Sequence, residues 1–390
     1  MKPLPLLLTL TGIALLGASL LILKKPSDHT TQNSSNTKPL APLPQAPLPF
    51  DYEEPELPLP KPPILEFDLV PDPQLISFVE EYLGLNFTEP PIFDPVPAEE
   101  IITTIEKGIA GHFPAEQLDK LNITFQRLGA LPSFQQIDQN VTTILAAETR
   151  GLITPTRNLI LNDFESSSPP EQAALVHLLA QRLLSENIPF PQIGTSIDKA
   201  IARHFIVQSL ALNTEKEFRK TLPSYPASLN ENLRESILLG LPAFFHELAT
   251  FSEFHLFEKS QTTSPSKAAK FLEKLATKSA TPSRDLLAFP FASEPSLDSS
   301  GEPSSLGAIP LYLFLLEATD PTTARTLATS LTGDTIQFRD GSLFWTLNFE
   351  TKKSSPRVAE FFRSYFSLRD AERKININVE GEKLIIIAAP

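Results

Sequence analysis

The chain of 390 residues contains no cysteine. It therefore cannot form disulfides, a thiolate zinc site, a cysteine nucleophile or a bacterial lipoprotein anchor, and cysteine usage does not indicate a redox compartment. Glycine is scarce at 14 residues, and neither a phosphate-cradling glycine loop nor a dinucleotide fingerprint occurs. The net charge of −13 and the lack of a basic run beyond the N-terminus argue against nucleic acid as a partner.

Proline, in contrast, is abundant and unevenly placed. Of 38 prolines, 17 fall between Pro26 and Pro97. Proline fixes φ and removes a backbone donor, so the run Pro39–Pro63 predicts a semi-rigid, polyproline-like spacer. We interpret residues 26–97 as an extended linker or stalk. The alternative, a docking strip for a proline-binding groove, has less support from composition.

An uncharged, leucine-rich segment, Leu4–Leu23, lies at the N-terminus between Lys2 and Lys24-Lys25. Twenty helical residues span roughly 30 Å, the thickness of a bilayer core. The segment predicts a transmembrane helix that anchors an extracytoplasmic (periplasmic or cell-surface) protein to the membrane. The alternative is a signal peptide within residues 1–25, cleaved near Gly17-Ala18-Ser19, which would leave the protein secreted.

Residues 98–390 have the pattern of one mostly helical domain with a small β component, an α+β fold. Apolar residues recur at helical spacing with plausible caps in most of this region, and short alternating runs predict strands. Arg157–Asn162 is predicted to be an edge strand, and a last hairpin is predicted around Glu380-Gly381-Glu382. The predicted helices are 72–83, 98–107, 114–128, 133–147, 168–184, 197–220, 231–250, 266–277, 306–316, 322–331 and 356–366, and the other predicted strands are 335–338, 342–349, 375–379 and 383–388.

The predicted helix Ser168–Leu184 has the strongest start signal in the chain. Ser168 is placed to cap it, Pro169 occupies its first position, and Glu171 follows three residues after the cap, which together form a capping-box pattern. On this helix His177 and Gln181 stand four residues apart and therefore project from one face.

That spacing is the spacing of the metal ligands in zinc peptidases. In H-E-x-x-H two imidazoles bind the metal and the intervening glutamate is the general base. Here the five residues are His177-Leu178-Leu179-Ala180-Gln181. The frame of such a site is present, but the second imidazole and the base are missing.

Several stretches in the same order resemble a family of predicted bacterial zincin-like metallopeptidases. In that family a Gly-Phe-Tyr-Asp-Pro-type turn feeds a strand, a helix with His-Glu-Leu-x-His follows, and a later helix carries Glu-Gly-(Asp/Glu)-Ala. The resemblance covers roughly residues 98–390 by ordered motifs rather than by high identity. The matching stretches are 148–161 (ETRGLITPTRNLIL), 198–209 (DKAIARHFIVQS), Leu306-Gly307-Ala308, Thr332-Gly333-Asp334 before a strand, Leu343-Phe344-Trp345-Thr346 and Ala359-Glu360-Phe361.

The resemblance implies a zincin-like fold whose metal site is vestigial. His177 matches the first histidine, Leu178 replaces the catalytic glutamate, Gln181 replaces the second histidine, and Gln208 replaces the acidic third ligand. A glutamine amide is a weak, neutral donor to Zn²⁺, and leucine cannot take a proton from water. We therefore expect no catalytic residues, no metal and no cofactor, with zinc itself disfavoured.

Two other histidine-containing patterns compete with this interpretation. His204 lies four residues before Gln208 and could replace a lost ligand opposite His177. His246-Glu247-Leu248-Ala249-Thr250 begins like a zinc-peptidase motif but ends in threonine, and His255 lacks the spacing of an extended motif. A surface or packing role is favoured for His204, and the stretch from His246 is favoured as part of an ordinary helix.

These observations predict a membrane-tethered, extracytoplasmic pseudo-metallopeptidase that binds a peptide or protein partner in the envelope. The first alternative is an active hydrolase with an altered metal site built on His177 and His204. The second is a structural envelope protein whose main feature is the proline-rich stalk.

Overall fold

The computed structural model describes residues 67–148, 150–154, 156–187, 197–222, 236–251, 283–288, 305–369 and 374–390. The helices are α1 (Pro73–Leu83), α2 (Ala98–His112), α3 (Ala115–Arg127), α4 (Ile137–Glu148), α5 (Pro169–Asn187), α6 (Ile197–Arg219), α7 (Ala243–Phe251), α8 (Ser283–Ala288), α9 (Ala308–Leu316), α10 (Pro321–Thr329) and α11 (Ser354–Arg369). The strands are β1 (Asp94–Val96), β2 (Gly151–Ile153), β3 (Asn158–Leu161), β4 (Leu331–Arg339), β5 (Ser342–Phe349), β6 (Ile375–Glu380) and β7 (Lys383–Ala388).

A three-stranded sheet lies beside the long helices, in the order β1-β3-β2. β3 is parallel to β1 and antiparallel to β2, with Leu159 opposite both Asp94 and Leu152. The prediction that 157–162 forms an edge strand is therefore wrong. β3 is central because β1, which includes Pro95, adds to its other side, a position that proline tolerates on an outer strand.

A second sheet has the order β4-β5-β7-β6 and is antiparallel throughout. Alternate residues of β5 and β7 are buried on one face, among them Trp345 and Ile386, and α11 packs over that face with Phe362. The period-2 pattern of the sequence predicted the two hairpins, β4–β5 and β6–β7, and the pairing of β5 with β7 joins them into one sheet.

The helix pair α5 and α6 forms the centre of the fold. α5 is buried along most of its length, including Val176, Leu179 and Leu183, and packs against α6, α1 and β2. Residues 67–97, at the end of the proline-rich region, contribute α1 and β1 to the same hydrophobic core, with Val79 and Phe93 fully buried. The core therefore begins N-terminal to Ala98.

The predicted fold class needs a correction. The described chain is α+β and mostly helical with small sheets, but none of its helices is long and apolar enough to cross a membrane. The fold class predicted from the sequence, which placed a transmembrane helix and a stalk before the domain, is therefore wrong as a description of this structure. The predictions for Leu4–Leu23 and for Pro39–Pro63 lie outside the described residues.

Two element boundaries also differ from the sequence prediction. The helix predicted over 231–250 is interrupted, because Gly240 and Leu241 form a turn and α7 starts only after Pro242, which lacks a backbone donor. The helix predicted to reach Leu331 ends at Thr329, and β4 begins at Leu331. The helix predicted over 266–277 lies outside the described residues.

Candidate functional site

Helix α5 begins with the predicted cap, but only half of the capping box forms. The backbone N–H of Glu171 donates to Oγ of Ser168 at 3.3 Å. The carboxylate of Glu171 does not reach back to Ser168. It accepts from Nε of Arg150 at 3.0 Å, and the same guanidinium lies 3.2 Å from Asp163. The start of α5 is thus tied to the end of the segment that precedes β2.

The three positions that the resemblance assigned to metal ligands meet between α5 and α6. The Nε2 atom of Gln181 lies 3.0 Å from Nε2 of His177 and donates to Oε1 of Gln208 at 2.7 Å. His177 and Gln181 come from one face of α5, and Gln208 comes from the facing turn of α6. The structure therefore brings together residues that are 27 positions apart in the sequence.

The amide of Gln181 bridges the cluster. Its Nε2 atom donates to Oε1 of Gln208 and lies within hydrogen-bond distance of Nε2 of His177. The Nε2 atom of His177, which a metal would need, is therefore already in contact with the amide of Gln181.

A fourth member of the cluster, Glu215, was not predicted. Its Oε2 lies 3.0 Å from Nδ1 of His177, and Arg219 pairs with its Oε1 one turn further along α6. Burial would raise the pKa of Glu215, but the contacts with His177 and Arg219 outweigh burial and lower it below its ordinary value. A charged carboxylate therefore lies beside the imidazole, on the side opposite to Gln181.

A sequence signal for Glu215 exists in retrospect. It stands seven residues after Gln208, two turns along α6, and therefore on the same helical face. A carboxylate that supports the outer nitrogen of a ligand histidine is a common partner in metal sites. The same periodicity places Glu217, nine residues after Gln208, on the opposite face, where it pairs with Lys220 at the surface.

Leu178, at the position that the resemblance assigns to the catalytic base, is packed. Its side chain is 2% exposed and belongs to the hydrophobic core. It contacts β2 at Gly151, where an added Cβ would lie 2.8 Å from Cδ1 of Leu178 and 2.4 Å from the carbonyl oxygen of Leu159. This site has no room for a water molecule between Leu178 and the strand.

His204 is placed differently from the cluster. Its ring packs on Phe205, with centroids 5.3 Å apart. Burial, and secondly the charge of Arg203, lower the pKa of His204 to about 3, so the ring is neutral at ordinary pH. Among the described residues, no hydrogen bond joins His204 to His177, and the predicted replacement pair stays a prediction.

The other histidine pattern lies in α7 and forms ordinary helix contacts. Thr250, which ends the pattern, donates through Oγ1 to the carbonyl of His246 at 3.1 Å within its own helix. His255 lies outside the described residues. Within the part of the chain that the structure describes, none of these contacts involves His177, Gln181 or Gln208.

The chemical character of the cluster does not fit zinc. The described residues contain no group of three or more His, Cys, Asp or Glu side chains arranged to hold a metal ion. Gln181 and Gln208 would be neutral, weak metal ligands, Nε2 of His177 lies against the amide of Gln181, and Leu178 supplies no base. The arrangement can bind a polar group through hydrogen bonds.

The C-terminal motifs of the resemblance converge on one buried carboxylate. Asp334 accepts from Oγ of Ser305 at 2.6 Å, from the backbone N–H groups of Leu306 and Gly307 at 2.9 and 3.0 Å, and from Nε1 of Trp345 at 2.9 Å. Asp334 lies within β4 rather than before a strand. Three stretches that are separate in the sequence are therefore held by a single side chain.

No protein-family model, curated protein or solved structure matches this chain. The zincin-like resemblance thus stays a prediction that depends on the residues and on the cluster that they form.

Proposed function

We propose that this protein is a catalytically inactive, zincin-like pseudo-metallopeptidase whose site binds a peptide or protein partner. The observation that carries the proposal is the contact of His177, Gln181 and Gln208 across α5 and α6. These are the positions at which the resembled family holds its metal, and they meet within hydrogen-bond distance although two of the three residue types have changed.

The packing of Leu178 supports the inactive part of the proposal. A glutamate at this position must face the bound water to serve as a base. Here the side chain is turned into the core against Gly151. Loss of the base is therefore accompanied by closure of the space in which it would act.

The polar cluster supports the binding part. His177 and Glu215 keep 14% and 12% of their side-chain surface accessible, so the cluster borders solvent rather than the deep core. Imidazole and amide groups at the edge of such a site can exchange their mutual hydrogen bonds for bonds to a peptide backbone. The neutral donors suit recognition better than catalysis.

The first test is to rebuild the metal site. Zinc content of the full chain is measured by elemental mass spectrometry after dialysis against trace zinc, for the native protein and for the double variant Gln181→His/Gln208→Glu. We expect less than a tenth of an equivalent in the native chain and about one equivalent in the double variant, because two imidazoles and a carboxylate form a sufficient ligand set. Leu178 is left unchanged so that the core stays intact.

The matched control adds His177→Ala to the double variant and should lower zinc content at least tenfold. Circular dichroism verifies that each variant is folded. About one equivalent of zinc in the native chain would refute the proposal that the protein is catalytically inactive. A folded double variant that binds no zinc would refute the proposal that these three positions have the geometry of a zincin metal site.

The second test separates binding from hydrolysis. The full chain is incubated with a pool of mixed-sequence decapeptides, and bound and free peptides are identified by mass spectrometry. We expect selected peptides to be retained and recovered intact, with retention reduced by Gln208→Lys, which introduces a charge into the cluster. Recovery of cleaved products that depends on His177 would favour the altered-site hydrolase.

A further inference from the structure

The second sheet ends in the edge strand β6, beyond which no described strand pairs. β6 covers Ile375–Glu380, and its residues are half-buried or exposed. An edge strand presents backbone N–H and C=O groups that can pair with another strand, and proteins commonly block such edges. β6 contains no proline and has no bulge in its pairing with β7.

The register against β7 determines which backbone groups of β6 face outward. The N–H of Ala389 donates to the carbonyl of Lys374 at 3.1 Å, and these two residues continue the register of β6 and β7. Hydrogen-bonded pairs recur at every second residue of an antiparallel ladder. The even-numbered residues of β6 therefore bond to β7, and the odd-numbered ones direct their N–H and C=O groups away from it.

A side-chain contact agrees with this assignment. The guanidinium of Arg363 on α11 reaches the carbonyl of Ile377 at 3.4 Å, from the outer side of the strand. The odd-numbered side chains, Ile375, Ile377 and Val379, lie on the face that α11 covers, while Asn376 and Asn378 are exposed on the other face. The outer edge thus combines an apolar row with backbone groups that do not bond to β7.

We propose that β6 pairs antiparallel with β6 of a second copy of this chain, with Ile377 opposite Ile377 of the second copy. In this register Ile375 stands opposite Val379 of the second copy, so the apolar row continues across the junction. Lys374 stands opposite Glu380 of the second copy, and both side chains are exposed. The strand is therefore complementary to itself in backbone polarity, apolar side chains and charge.

Other registers lose this complementarity. A shift of one residue places odd-numbered residues opposite even-numbered ones and misaligns the outward hydrogen-bonding groups. A shift of two residues leaves Ile375 or Val379 without an apolar partner and separates Lys374 from Glu380. Only the register centred on Ile377 pairs all three outward residues and joins the charges.

The proposed dimer is closed and requires the loss of one weak contact. The pairing is two-fold symmetric, so the same strand forms the interface in both copies and the two β6 edges pair with each other. Arg363 must give up its contact with Ile377, but a distance of 3.4 Å lies beyond the usual hydrogen-bond range. The result would be a continuous eight-stranded sheet across the dimer.

A charge exchange tests the proposal. The association of the full chain is followed by sedimentation velocity over a concentration series that extends into the high micromolar range, since small interfaces below about 1,200 Å² give weak complexes. Lys374→Glu or Glu380→Lys alone places like charges opposite each other at both ends of the junction. We expect each single variant to raise the dissociation constant at least tenfold, and the combined Lys374→Glu/Glu380→Lys variant to restore association.

The matched control is Lys107→Glu, which makes the same charge change at an exposed position of α2. It should leave the dissociation constant unchanged. A chain that is monomeric at every concentration would overturn the proposal. A dimer whose dissociation constant is unchanged in both single variants would overturn it as well, because the association would then use another surface.

The lack of native cysteine allows an independent test of the register. In this register Asn376 of one copy faces Asn378 of the second copy in a non-hydrogen-bonded pair, with Cα atoms about 4.5 Å apart. The two Asn376 residues of the dimer lie about 8 Å apart, on a diagonal of the ladder. A mixture of Asn376→Cys and Asn378→Cys chains should cross-link under mild oxidation, and either variant alone should not. Equal cross-linking of a single variant would contradict the register.

Discussion

Leu178 and Gly151 are packed so closely that a Cβ atom added at Gly151 would lie 2.8 Å from Cδ1 of Leu178. This contact joins α5 to β2. The leucine at 178 and the absence of a side chain at 151 act together, since the leucine fills the volume that a Cβ at 151 would need. The contact makes both positions sensitive to substitution.

Gly151→Ala should lower the free energy of unfolding by about 1–3 kcal/mol, because the new methyl group meets the backbone oxygen of Leu159 as well as Leu178. Urea unfolding monitored by circular dichroism measures the change. Gly111→Ala is the control. Gly111 lies in α2 with no atom within 4 Å of an added Cβ, so this substitution should stabilise the protein by up to about 1 kcal/mol.

Leu178→Glu should destabilise the protein by about 3 kcal/mol or more, because it places a carboxylate without a partner in the hydrophobic core. The midpoint of urea unfolding is the measurement. Leu178→Met keeps the volume apolar and should cost less than about 1.5 kcal/mol. A glutamate variant as stable as the methionine variant would mean that position 178 opens onto a cleft.

Glu215→Gln should lower the free energy of unfolding at pH 7 by about 1–3 kcal/mol, because it removes the charge between His177 and Arg219. The pKa of Glu215 is below its ordinary value of 4.5 in the folded state. The stability that this group contributes is therefore present above pH 4.5 and is lost as the pH falls through the folded-state pKa.

The difference between the native chain and Glu215→Gln should accordingly shrink when unfolding is measured below pH 4.5. Glu217→Gln is a neighbouring control at a more exposed ion pair with Lys220, and it should change stability by less than about 0.5 kcal/mol. A pH-independent difference for Glu215→Gln would show that Glu215 acts only through packing.

Asp334→Asn should destabilise the C-terminal sheet by about 2–3 kcal/mol. The carboxylate of Asp334 now accepts from the N–H of Leu306 and the indole N–H of Trp345. The amide NH₂ group of asparagine would point hydrogens at one of these donors, which would lose its acceptor. Trp345 is the only tryptophan of the chain, so its fluorescence during unfolding reports on this site alone. Asp340→Asn is the control. Asp340 stands at φ 50° in the β4–β5 turn before Gly341, where asparagine is equally suitable.

Local signals in the sequence predicted a large part of the fold. The cap at Ser168 and the helical spacing that follows it predicted α5, and the turn at Gly381 between two apolar alternating runs predicted β6 and β7. These features depend on hydrogen bonds and side-chain periods within a few residues. They are therefore readable without knowledge of the tertiary structure.

Short elements and their partners were missed. β1 and β2 have three residues each, which is too short for an alternation pattern, and they exist because β3 pairs with both. The break before α7 was also missed, since the apolar spacing continues through Gly240 and Pro242 although the backbone does not. In each case a non-local pairing or a backbone constraint overrides the local pattern.

The sequence by itself determined the spacing of His177 and Gln181 on one helix face and the apolar leucine at position 178. Both follow from the identities of residues within one turn. Only the tertiary structure decided that Gln208 completes the cluster, that Glu215 supports His177, and that Leu178 is enclosed by Gly151. The physical reason is that these contacts depend on how α6 and β2 dock on α5, and docking is set by the packing of the whole core rather than by any one segment.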